Sequence, residues 1–142
     1  MQLIGCFLAI LFIMIPANPG PDSGPSTGGN TAYPVEPCPG TPNCHIEEVA
    51  STENPAIIFD RLVECLHQTG AESVSPEPDE LFVSAVYKIP LFGFRDDVTA
   101  RVVPAENGGS VLFIRSASRV GHSDLGVNQR RVKRILRKLK IS

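Results

Sequence analysis

The sequence predicts an α+β domain: a helix, four antiparallel strands and a closing helix, in that order. Three features carry this expectation. Apolar residues recur at helical spacing between Asn54 and Gly70, then alternate in short runs separated by turn formers as far as Arg119. After Asp124 they return to helical spacing, with cations on the remaining faces. Both helices are expected on one face of the sheet, giving two layers around one core.

A chain of 142 residues can hold one domain with a real core, but not two. Its net charge of -2 gives no global field that would draw nucleic acid, so no such partner is expected. The 13 prolines and 12 glycines crowd toward the first third, a composition that marks a linker. Ahead of it, Leu3 to Ile15 is an uninterrupted apolar run, shorter than the roughly 20 residues that cross a bilayer comfortably. Its length suits a signal-peptide core, yet no Lys or Arg precedes it and Ile15-Pro16-Ala17 is a poor cleavage site. Residues 1–17 are therefore read as a signal peptide or a short uncleaved membrane anchor. Either places the domain outside the cytoplasm, in a periplasm or cell envelope. Leu3-Ile-Gly-Cys6 resembles a lipid-attachment box but precedes the apolar core it should follow, which makes lipidation at Cys6 a minor option. Residues 18–37 have no periodic apolar face and read as a solvated tether, leaving 38–142 as the folded domain.

Cys38 and Cys44 close a short loop containing two prolines. In an exported protein a disulfide there stabilises by roughly 2 kcal/mol. The competing readings, a redox pair or half a metal site with His45, lack the Cys-x-x-Cys spacing and a second group of ligands, since His67 and His122 are scattered. Asn54 caps the first helix, Pro55 occupies its first turn and Gly70 ends it. Ile58, Leu62, Cys65 and Leu66 form its buried stripe, so the Cys65 thiol is packing rather than chemistry.

Extended runs follow at 71–75 and 81–89. In the second, Leu81, Val83, Ala85, Tyr87 and Ile89 alternate onto one face. The loop Ile89 to Phe94 is unusually apolar. Phe92 and Phe94 either fold over a sheet edge, rim a ligand cleft or touch a membrane. Runs 95–103 and 110–119 flank Asn107-Gly108, a strong hairpin signal. A two-residue turn at that dipeptide would pair Val102 with Phe113, Ala100 with Arg115, Val98 with Ala117 and Asp96 with Arg119. In that register Asp96, Arg115 and Arg119 share a face with Val98, Val102, Val111 and Phe113. The last helix starts at Ser123 or Asp124, either of which can cap it, after a turn at Gly121. Leu125, Val132, Ile135, Leu136 and Leu139 are its apolar stripe and the lysines and arginines its solvated face, or else a surface attracted to anionic lipid.

Guanidinium groups on an apolar face need partners. Asp96 is expected opposite Arg119, with Asp97 and Asp124 close by. This corner is either a salt-bridged joint between strand and helix or an anion-binding notch, made of Asp96, Asp97, Arg115, Arg119, Asp124 and Asn128 with the N-H groups of the last helix. No Ser-His-Asp or Cys-His arrangement, phosphate loop, dinucleotide glycine pattern or metal motif is legible, so no catalytic residue, metal or cofactor is expected.

Cys38-Pro-x-x-Pro-Asn-Cys44, Phe94-x-Asp-Asp97-Val, and Arg115-Ser-x-Ser-Arg119-x-Gly-x-x-Asp124-x-Gly-x-Asn128-x-x-Arg131-Val together resemble the domain of unknown function family numbered 1499, over Cys38 to about Lys140. The resemblance implies an exported or membrane-attached single domain and brings no established activity. The expected function is an extracytoplasmic, envelope-associated, non-enzymatic binding or interaction module with an Arg/Asp anion-binding corner, its partner left open between an anionic small molecule and an anionic membrane surface. Its rivals are a small hydrolase or transferase acting on an anionic substrate there, and a protein that meets an anionic membrane surface through its basic helix.

Overall fold

The computed structural model describes residues 34–141. The apolar leader, Cys6 and the tether before Pro34 lie outside the described residues. The order of elements is β1 (Cys44–Ser51), α1 (Pro55–Gln68), β2 (Ser73–Glu77), a 3₁₀ turn (Pro78–Glu80), β3 (Phe82–Lys88), β4 (Arg95–Pro104), β5 (Ser110–Ser118) and α2 (Val127–Leu139). All neighbouring strands are antiparallel, in the sheet order β1-β5-β4-β3-β2. The fold is α+β as expected, but the sheet has five strands rather than four, because β1 precedes the first helix and pairs with β5 along one edge.

Local chemistry explains the helix limits. Asn54 Oδ1 accepts from Ala56 N–H at 2.9 Å, and Pro55 opens the helix where its missing N–H does no harm. Thr69 closes it, its N–H returning to Cys65 O, and Gly70 follows at φ +91°. Ile58, Phe59, Leu62, Cys65 and Leu66 of α1 are buried together with Val132, Ile135, Leu136 and Leu139 of α2 and with Val83, Ala85, Val98, Ala100, Val102, Leu112 and Ile114 of the sheet. Both helices therefore lie on one face. Each fully buried large aliphatic side chain contributes about 1.5–3 kcal/mol.

The β4–β5 hairpin departs from the expected register by one residue. Its loop is five residues long, not two: Ala105 N–H donates to Gly109 O at 2.9 Å and Gly108 N–H to Ala105 O at 3.0 Å, with Pro104 opposite Ser110. Gly108 supplies the positive φ, +83°. Gly109 lets β1 come close, since a Cβ there would lie 2.2 Å from Ser51 O. Val102 consequently faces Leu112, and Asp96 faces Ser118 rather than Arg119. Because side chains alternate, this single step moves the whole of β5 to the other face relative to β4. Leu112, Ile114 and Ser116 join Asp96, Val98 and Val102 on the helix side, whereas Arg115 and Arg119 belong to the helix-free side.

Cys38 and Cys44 stand at disulfide distance, Sγ–Sγ 2.08 Å, joining the chain ahead of β1 to the first residue of that strand. Among the described residues no helix is long and apolar enough to cross a membrane.

Candidate functional site

Where β4 begins, Asp96 and Asp97 point to opposite faces of the sheet. Asp96 turns inward and is only 2% exposed; its Oδ2 accepts from Arg131 Nη2 at 2.7 Å. Arg131, 6% exposed, also donates through Nη1 to Asn128 Oδ1 at 2.8 Å and to Ser116 Oγ at 2.9 Å. Its guanidinium lies 4.8 Å from the centre of the Tyr87 ring. Ser116 Oγ donates to Asn128 Oδ1 at 2.5 Å, while Asn128 Nδ2 donates to Asn43 O and to Ser118 Oγ, both at 2.9 Å. The Tyr87 hydroxyl bonds Thr69 Oγ1 at 2.7 Å, and burial pushes its pKa up. One buried network thus ties β3, β4, β5 and the chain before β1 to both helices.

Asp124 sets the phase of α2. Its Oδ1 accepts from Gly126 N–H at 2.9 Å and its Oδ2 from Asn128 N–H at 2.6 Å, satisfying donors that a helix start leaves unpaired. Burial alone would raise this carboxyl, but those backbone bonds, with the Asn128 side chain, outweigh it and hold the pKa below its ordinary value. Helix α2 itself begins at Val127, three residues beyond Asp124. With that phase Asn128, Arg131, Val132 and Ile135 face inward at i, i+3, i+4 and i+7.

The six residues expected to form one corner are divided by the sheet. Asp96, Asp124 and Asn128 are on the helix side. Asp97, Arg115 and Arg119 are on the other, so the expected Asp96–Arg119 pair is replaced by two separate pairs. Arg119 forks onto Asp97, with Nη2–Oδ1 at 2.7 Å and Nε–Oδ2 at 2.9 Å, in an exposed bridge that raises its pKa. Arg115 is 8% exposed, and the carboxylate it meets is Glu36 at 3.4 Å. Sequence reasoning missed Arg131 as the partner of Asp96. The signal was present: a cation three residues after Asn128 and one before Val132 occupies a stripe position, not the solvated face.

Above the network lies a cavity of about 330 Å³. Ile89, Phe92, Phe94, Val120 and Leu125 wall it, and Asp96 and Ser118 line it as well. Phe92 and Phe94 stack with centroids 5.8 Å apart and remain largely exposed. Two polar side chains of the network meet the cavity: Asp96 is bonded through Oδ2 to Arg131 and Ser118 Oγ accepts from Asn128 Nδ2, so by valence a second carboxylate oxygen can still accept and the hydroxyl can still donate. Ser123, Asp124 and Arg130 complete the lining, so the site offers a carboxylate acceptor and a hydroxyl donor beside a mostly apolar wall.

Elsewhere, the Cys65 thiol is buried against Ile135 O at 3.7 Å, and burial pushes its pKa up against the pull of Lys138 and Arg134. Among the described residues no group of three or more His, Cys, Asp or Glu gathers to hold a metal ion.

A solved structure titled "Crystal structure of Ara h 8.0201" superposes with a TM-score of 0.51, covering 68% of this chain and 94% of that one at 11% identity, a likeness of fold alone. No curated protein matches. The model of the family described as "Protein of unknown function (DUF1499)" matches residues 34–139, and the chain belongs to that family.

Proposed function

We propose that this domain is a non-enzymatic, extracytoplasmic and envelope-associated binding module that takes a small amphipathic molecule in the cavity above Asp96. The observation that carries this reading is that Asp96 and Ser118, each with hydrogen-bonding capacity to spare, line the cavity beside aromatic and aliphatic groups, the combination that orients a ligand inside a mostly apolar pocket. An alcohol or primary amide head matches both side chains, and the apolar walls take its body. At about 330 Å³ the cavity is at the small end of ligand sites, which favours a compact molecule or one end of a longer one.

The experiment is native mass spectrometry of the full chain purified from its own source, alongside Ser118→Val and Val120→Trp. The wild type should retain a small-molecule mass, which removing the hydroxyl weakens and filling the cavity abolishes while the protein stays folded. Equal retention by all three proteins would refute the site. A second reading keeps an anion at Arg115. It is favoured by three buried polar atoms on the helix-free face, Thr99 Oγ1, Arg101 Nε and Arg115 Nε, that lack partners. Arg115→Gln would separate the two, abolishing retention of an anion and leaving an amphipath untouched.

A further inference from the structure

We infer that the cavity rim and the adjoining face of α2 form one docking surface for an anionic phospholipid bilayer. Two loops supply its apolar part. Leu91 is 82% exposed and Leu125 86%, with Phe92, Phe94 and Val120 beside them. An apolar cluster this exposed is unusual on a monomer that meets only water. Leu125 also holds a left-handed backbone, φ +53°, with its side chain presented outward rather than packed.

The charge adjoins that cluster. A groove of about 860 Å³ between β1 and α2 is lined by Arg130, Lys133, Arg134 and Arg137, and its one carboxylate, Glu47, is already bonded to His45 at 2.8 Å. Among the described residues none of these four cations has a carboxylate at ion-pair distance; Arg130 donates to Leu125 O and Arg134 to Thr69 O. Val127 and Arg130 line both the groove and the cavity, so the two regions are continuous.

Arg130, Lys133, Arg134 and Arg137 belong to the docking groove, whereas Lys138 lines a separate groove beside Asp60 and Glu64 of α1, and Lys140 lines neither groove. An apolar tip beside cations without partners is complementary to a bilayer bearing anionic headgroups.

The chain contains no tryptophan, so one indole reports position unambiguously. The apolar run at residues 3–15 would favour a bilayer of any composition, and the readout must therefore be local. Full-length protein carrying Leu91→Trp, and separately Ile57→Trp on α1, is added to phosphatidylcholine vesicles with and without phosphatidylglycerol. The indole at position 91 should shift to the blue and be quenched by acyl-brominated lipid only when phosphatidylglycerol is present, and the one at position 57 should do neither. Adding Lys133→Glu with Arg134→Glu should weaken the response about tenfold or more, whereas Lys138→Glu with Lys140→Glu should change it little. No shift at position 91, an equal shift on neutral vesicles, or equal sensitivity to both charge-reversal pairs would overturn the proposal. The first of these would assign the patch to a protein partner instead.

Discussion

Replacing Asp96 or Arg131 alone leaves the other charge buried without its counter-ion, and the structure fixes how large the effect should be. Arg131→Met removes the bond to Asp96 Oδ2, the bonds to Ser116 and Asn128 and the stacking on Tyr87, and strands a carboxylate that is 2% exposed. Breaking such a pair from one side costs about 3–5 kcal/mol. In a domain of this size that lowers the melting temperature by about 12 °C or more. Asp96→Leu strands the guanidinium and should cost a similar amount. The double substitution strands neither charge, and apolar replacements of buried ion pairs are often neutral. Asp96→Leu with Arg131→Met should therefore be more stable than either single variant. Urea unfolding of the four proteins, followed by circular dichroism, gives the coupling energy directly. Single variants within about 1 kcal/mol of wild type, or a double variant destabilised by the sum, would refute the reasoning. The same cycle on Asp97 and Arg119, an exposed pair, should give a far smaller coupling than the one at Asp96 and Arg131.

Three further outcomes follow from local geometry. Asp124→Ala should cost about 1 kcal/mol as a lost helix cap. Because the folded Asp124 carboxyl is held below its ordinary 3.8, its contribution is complete above that value and disappears as pH falls through the folded one. The stability gap between wild type and Asp124→Ala should thus be constant near neutrality and shrink in acid titrations below 3.8. Reducing the Cys38–Cys44 pair, which closes a loop with a sequence separation of 6, should cost about 2 kcal/mol in urea melts run with and without dithiothreitol. Gly109→Ala should destabilise by about 1–3 kcal/mol, since the new methyl would meet Ser51 O at 2.2 Å, and no loss in a thermal melt would contradict the close approach of β1 to the hairpin.

Elements with a strong period were legible in the sequence, and those whose partner faces are polar were not. Helix α1 announced itself through Asn54, Pro55, the stripe and Gly70, and β3 through strict alternation. Strand β1 did not, because of its helix-side residues His45, Glu47 and Val49 only Val49 is apolar, and Glu47 and Val49 line the open groove beside α2. The hairpin shows how a local ambiguity grows. Asn107-Gly108 fits a two-residue turn, but the chain uses a five-residue loop in which Gly109 admits Ser51, a contact between segments far apart in sequence. That single step in register turned Arg115 and Arg119 away from Asp96 and left Arg131, on another element, to neutralise it. The family motif had Arg131 in view, yet which side of α2 faces the sheet depended on where Asp124 stopped the preceding turn.

The most direct measurement is carboxyl carbon NMR of the aspartate side chains during titration with 1-octanol, which offers an apolar body and a hydroxyl head. The Asp96 resonance should move saturably while Asp97, on the opposite face of the same strand, stays fixed. Movement of Asp97 with Asp96 unchanged, or no saturable movement of either, would contradict a binding cavity floored by Asp96.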